Sequence, residues 1–93
     1  MSAVELMNTR IQIADNAFAT IRILQVDPAI KGSAHQYKYS LAYIVDGVCV
    51  MRYDNERGKG DHKHIGDSEY AISFTDISDL IRRFQADINQ LRR

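Results

Sequence analysis

From Met7 to Ile13 the odd positions (Met7, Thr9, Ile11, Ile13) are largely apolar and the even ones (Asn8, Arg10, Gln12) are polar. Alternation of period two suits a half-buried strand. Asp15-Asn16 is a turn signal, and Ala17 to Val26 resumes the pattern through Ala19, Ile21 and Ile23 against Thr20 and Arg22. The two runs predict a hairpin. Asp27-Pro28 ends its second strand, because proline has no amide proton for the ladder. Residues 28–34, with Gly32-Ser33, are expected to form a loop or a helical turn.

The next stretch is clearer. His35 to Val45 sets Tyr37, Tyr39, Leu41, Tyr43 and Val45 on one face, and Asp46-Gly47 leads into the apolar run Val48 to Tyr53. Asp-Gly is a preferred two-residue hairpin turn, since both residues tolerate positive φ. The tyrosine stripe reads as core and cross-strand packing rather than as a platform for stacking bases. Residues 69–74 predict a short last strand.

Ile77, Leu80, Ile81, Phe84, Ile88 and Leu91 then form a single stripe at helical spacing. Ser73 or Thr75 is expected to cap this helix, with Asp76 and Asp79 near its positive end and Arg82, Arg83, Arg92 and Arg93 toward its negative end. The fold class is therefore α+β: an antiparallel sheet of four to five strands, two hairpins plus a short strand, packed on one C-terminal helix. A single domain over residues 1–93 is expected, with the sheet over about 4–73, a polar loop at 54–67 and the helix over about 76–92.

Composition narrows the function. The chain has 93 residues, enough for one small core. Twelve basic residues balance twelve acidic ones, which argues against a general polyanion binder. The balance also holds locally: between Arg52 and His64, Arg52, Arg57, Lys59 and Lys63 stand against Asp54, Glu56 and Asp61. Any RNA chemistry should thus occupy a compact site rather than a broad basic patch. Cys49, in the run Val48-Cys49-Val50-Met51, reads as a buried thiol acting as a small hydrophobe. The first residues carry Glu5 and no apolar core, so no signal peptide is expected, and Leu41 to Val45 is far too short to span a bilayer. A cytoplasmic protein with no membrane contact is the expectation.

The segment Asp54 to Asp67 differs from its surroundings. Ile65 is its only aliphatic residue, and it holds two of the three histidines. So long a polar connection calls for function or for a mobile tip, which Gly58-Lys59-Gly60 resembles. In extended chain His62 and His64 point the same way, near Arg52 and Asp54. Three readings are open. One is metal-free phosphodiester cleavage: His62 and His64 as acid and base, Arg52 or Lys63 stabilising phosphoryl charge, Asp54 orienting an imidazole. Another is a metal held by His62, His64 and Asp61 or Asp54, for which His-x-His alone is a weak signal. The third is a solvated loop with no chemistry. His35 reads as a strand-edge residue.

The order Tyr37-Lys38-Tyr39-Ser40-Leu41, an Asp-Gly turn, Met51-Arg52-Tyr53-Asp54-Asn55 and His62-Lys63-His64-Ile65-Gly66 resembles the TumE-type toxin family of bacterial toxin–antitoxin systems. The resemblance covers about residues 35–90. Family members often continue with Ala-Pro-His-His where this chain has Glu56-Arg57-Gly58-Lys59, and carry a further histidine where it has Asp61. The resemblance implies a growth-inhibiting type II toxin paired with a helix-turn-helix antitoxin. A metal-independent endoribonuclease is its enzymatic form: His62, His64, Arg52 and Asp54 catalytic, Tyr53, Asn55 and Lys63 contacting RNA, with no metal or cofactor expected. The alternative is a non-enzymatic interaction module. An unpaired sheet edge makes a homodimer a further expectation.

Overall fold

The computed structural model describes residues 2–92, so the expectation for Arg93 lies outside the described residues. Six strands run in chain order: β1 (Ser2–Ala14), β2 (Ala17–Asp27), β3 (Tyr37–Val45), β4 (Val48–Glu56), β5 (Gly60–Ile65) and β6 (Ser68–Ala71). Each pairs antiparallel with its successor, giving one sheet of order β1-β2-β3-β4-β5-β6. Helix α1 (Ile77–Leu91) follows. The α+β class stands, but the strand count is six rather than four to five. The difference comes from the segment 54–67, expected as a polar loop. Its chain stays extended to Glu56, turns through residues 57–59 and returns as β5.

Turn chemistry follows the sequence. At the β3–β4 hairpin Asp46 and Gly47 both have positive φ, 52° and 78°. The tip at Gly58 is tied down: its amide donates to the Lys31 carbonyl at 2.7 Å. Gly32 has φ 88°, and a Cβ there would stand 3.2 Å from the Gly58 Cα, so glycine is favoured where the 28–34 segment lies against this turn.

The core lies between the sheet and α1. Ile21, Ile23, Tyr39, Leu41, Tyr43, Met51 and Tyr53 meet Leu80, Phe84 and Ile88. Burying each large apolar side chain contributes roughly 1.5–3 kcal/mol. Phe84 meets the Tyr53 ring edge-on at 5.4 Å. The tyrosine stripe is thus core, as its spacing predicts.

Three local expectations are corrected. Asp76, not Ser73 or Thr75, caps α1: it is extended, and its carboxylate accepts from the Asp79 amide at 2.7 Å. Arg82 and Arg83 lie in the first half of α1 and pair with Asp79 one turn back, while Arg92 is at the C-cap, just past the last turn. Cys49 is exposed rather than buried. A bulge in β4 sets Cys49 opposite Ile44 while Met51 stays opposite Tyr43. The extra residue reverses the alternation and turns the thiol to the face away from the core. No helix of the described residues is long and apolar enough to cross a membrane.

Candidate functional site

Strand pairing decides which side chains meet. Tyr53 lies opposite Lys63 and Asn55 opposite Asp61. Tyr53 and Lys63 both reach Asp87 of α1, so this row faces the helix. Alternation turns the intervening residues to the other, open face. There Arg52 lies opposite His64, and Asp54 opposite His62. The structure therefore brings together the four residues expected to be catalytic: Arg52, Asp54, His62 and His64.

Their geometry is that of convergence on a point. One donor atom each from Asp54, Glu56, His62 and His64 lie within 4.8 Å of one another. His62 is 3% exposed. Its Nε2 is 2.6 Å from Asp54 Oδ1, 4.0 Å from Glu56 Oε1 and 3.9 Å from Glu69 Oε1. The His62 and His64 rings meet edge to face at 4.8 Å. Asp54 Oδ1, His62 Nε2 and His64 Nε2 are all buried without a hydrogen-bond partner. Asp54 Oδ1 and His62 Nε2 are close enough for a hydrogen bond but not aligned for one.

The tautomer of His62 explains this. Its Nδ1 is 2.9 Å from the Gly60 carbonyl, which can only accept, so Nδ1 carries the proton. In the neutral ring Nε2 is then a lone pair, 2.6 Å from a carboxylate oxygen that is also an acceptor. Two acceptors at this distance repel unless a proton on Nε2 or another cation lies between or beside them. The carboxylate's other oxygen, Oδ2, receives the Arg52 Nε at 2.9 Å.

The remaining expected site residues lie on the helix side. Asn55 is buried, accepting from the Tyr39 amide at 3.0 Å and donating to the Tyr37 carbonyl at 2.6 Å. Tyr53 is packed beneath Phe84, and Lys63 pairs with Asp87 at 2.9 Å. All three hold the fold on the face opposite the cluster. Asp61 also lies here, binding the Tyr39 hydroxyl at 2.6 Å and His35 Nε2 at 2.8 Å. His35 accepts the Tyr37 amide at Nδ1 and stacks on Phe74 at 3.9 Å, so it is interior scaffold rather than strand edge. Burial first, and then hydrogen bonding to a carboxylate, push the Tyr39 and Tyr53 hydroxyls well above the ordinary tyrosine value.

Glu56, Glu69 and Gly60 belong to the cluster without having been singled out by sequence. Reading 54–67 as a hairpin would have placed Glu56 opposite Gly60, beside the two histidines.

The open face continues away from the cluster. One row across the sheet reads Asn8, Arg22, Ser40, Asp54, His62, and the next reads Arg10, Thr20, Ala42, Arg52, His64, Glu69. Lys38 lies beside the first, opposite Leu24. Arg10, Arg22, Lys38 and Arg52 are all exposed here. Sequence balance predicts no basic surface, yet alternation sorts these cations onto one face and gathers carboxylates at its β4–β6 end.

No curated protein and no solved structure matches the chain. The family model described as Toxin TumE matches residues 3–92, so the match takes in the first hairpin as well as the motif-bearing half. The chain belongs to the TumE toxin family.

Proposed function

We propose that this toxin arrests growth by cutting RNA on the open face of its sheet, in the cytoplasm, and that an antitoxin protein with a helix-turn-helix domain neutralises it by direct binding in a type II system. The observation that carries this reading is the alignment of Arg10, Arg22, Lys38 and Arg52 with the cluster of Asp54, His62 and His64 on one face. A single-stranded backbone laid along the cations brings a phosphodiester to the cluster's end. In the cut, the ribose 2′-oxygen attacks phosphorus and gives up its proton. The 5′-oxygen leaves and takes a proton, so the products are a 2′,3′-cyclic phosphate and a 5′-hydroxyl. Arg52, exposed at the cluster's rim, is placed to meet the charge that grows on the phosphoryl oxygens.

The non-enzymatic alternative has one observation in its favour. The edge strand β1 leaves Val4, Leu6 and Ile11 exposed, a surface on which a partner strand or a second copy could add. Inducing the chain with and without its neighbouring gene, scored for growth and RNA integrity, separates the readings. RNA-cutting toxin gives arrest with fragmented RNA, both relieved by the neighbour. Arrest with intact RNA favours the interaction module.

A further inference from the structure

Among the described residues, three buried side-chain atoms have no hydrogen bond: Asp54 Oδ1, His62 Nε2 and His64 Nε2. An unpaired buried polar group is costly, so a group of three gathered in one place calls for a partner. We propose that the partner is a single divalent transition-metal cation of the Zn²⁺ or Mn²⁺ class, held by Asp54, Glu56, His62 and His64.

Several features fit. The donor set is two imidazoles and two carboxylates, which suits first-row divalent metals and not the all-oxygen shells of Mg²⁺ or Ca²⁺. The four donor atoms already lie within 4.8 Å of one another. In a tetrahedral shell with bonds of about 2.1 Å, ligand atoms stand roughly 3.4 Å apart, so Asp54 and His62, now 2.6 Å apart, must open a little while the wider pairs close, by small side-chain shifts. His62 has the supporting arrangement of a metal ligand: its Nδ1–H is fixed by the Gly60 carbonyl, which leaves Nε2 free to ligate. Its burial, and the direct opposition of Asp54 and His62 across β4 and β5, preform half of the shell.

The cation also settles an electrostatic conflict on the open face. Asp54, Glu56 and Glu69 gather where a phosphate following the basic rows would arrive, and alone they would repel it. A divalent charge among them offsets that repulsion. Lys59, exposed at the rim, is 3.9 Å from both Glu56 and Glu69, too far and too solvated to take that part. Metal binding is read on the protein alone and so stands or falls separately from RNA cutting.

The test is titration of the untagged full chain, stripped with a chelator, with Zn²⁺, Mn²⁺ and Mg²⁺ by calorimetry, together with thermal melting. The expected result is one Zn²⁺ or Mn²⁺ per chain with a raised melting temperature, and no comparable effect of Mg²⁺. Glu56→Gln, on an exposed side chain, and His64→Gln should each weaken binding by roughly 10–100-fold or more. Circular dichroism of the metal-free variants should match the parent, which separates ligand loss from misfolding. Stoichiometric binding that both variants retain, or no binding by a folded parent, would overturn the proposal. Metal binding without RNA cutting would sustain it while removing the proposed function.

Discussion

His62 and Asp54 face one another directly across β4 and β5, with Nε2 and Oδ1 2.6 Å apart and no hydrogen bond between them. If the pair serves function rather than stability, Asp54→Asn distinguishes the two. The amide could accept from Arg52 and donate to His62 Nε2, making the missing bond. Metal-free stability should change by less than about 1 kcal/mol, because the bond gained offsets the partly exposed ion pair lost. Growth arrest should disappear. Urea unfolding and induced-growth curves on one variant check both halves; a large loss of stability would mean that Asp54 is structural.

Asn55 should behave in the opposite way. It satisfies two backbone groups of β3 from a buried position. Asn55→Ala leaves an amide and a carbonyl without partners, at roughly 1–3 kcal/mol for each. The expected outcome is a shift of the urea midpoint large enough to threaten folding, and a stability near the parent's would contradict the assignment.

The two raised tyrosines set an alkaline limit. Tyr39 and Tyr53 keep their protons more tightly folded than unfolded, where the ordinary value is 10.0. Their contribution is therefore complete below pH 10 and lost as pH rises, since the unfolded chain then binds fewer protons. Stability should fall by up to about 1.4 kcal/mol per pH unit for each tyrosine in that range. Tyr39→Phe and Tyr53→Phe should each flatten this slope. Urea midpoints taken between about pH 8 and pH 11 read it, and an unchanged slope in both variants would refute the cause.

Arg22 lies in the same cross-strand row as Asp54 and His62, two strands from the first and three from the second. If RNA runs along this face, Arg22→Glu should weaken RNA binding uniformly across sequences and reduce its salt dependence by about one phosphate contact. Stability should stay near the parent's, since the Arg22–Glu5 pair is exposed at 3.8 Å. Filter binding over a salt series measures it; an unaltered slope would place the RNA elsewhere.

Where burial is apolar, the chain announces its structure. The alternations through Ile21 and Ile23 and through Tyr39, Leu41 and Tyr43, the Asp46-Gly47 turn and the stripe ending at Leu91 all correspond to elements. The His62–His64 alignment was legible for the same geometric reason. β5 was not, because His62 is buried by carboxylates and another imidazole rather than by hydrocarbon, so no apolar period marks it. That hid Glu56, which looks like a loop residue until Gly60 is paired with it. The bulge that exposes Cys49 leaves no trace in composition. Nor can a count of charges reveal that alternation carries Arg10, Arg22, Lys38 and Arg52 to one side.

The most direct measurement is incubation of the purified toxin with total RNA, followed by mapping of the new ends, for the parent beside His64→Gln and Asp54→Asn. Cleavage by the parent, absent from both variants while their circular dichroism is unchanged, is the predicted result. Folded variants that cut RNA as the parent does, or a growth-arresting parent that leaves RNA intact, would contradict it.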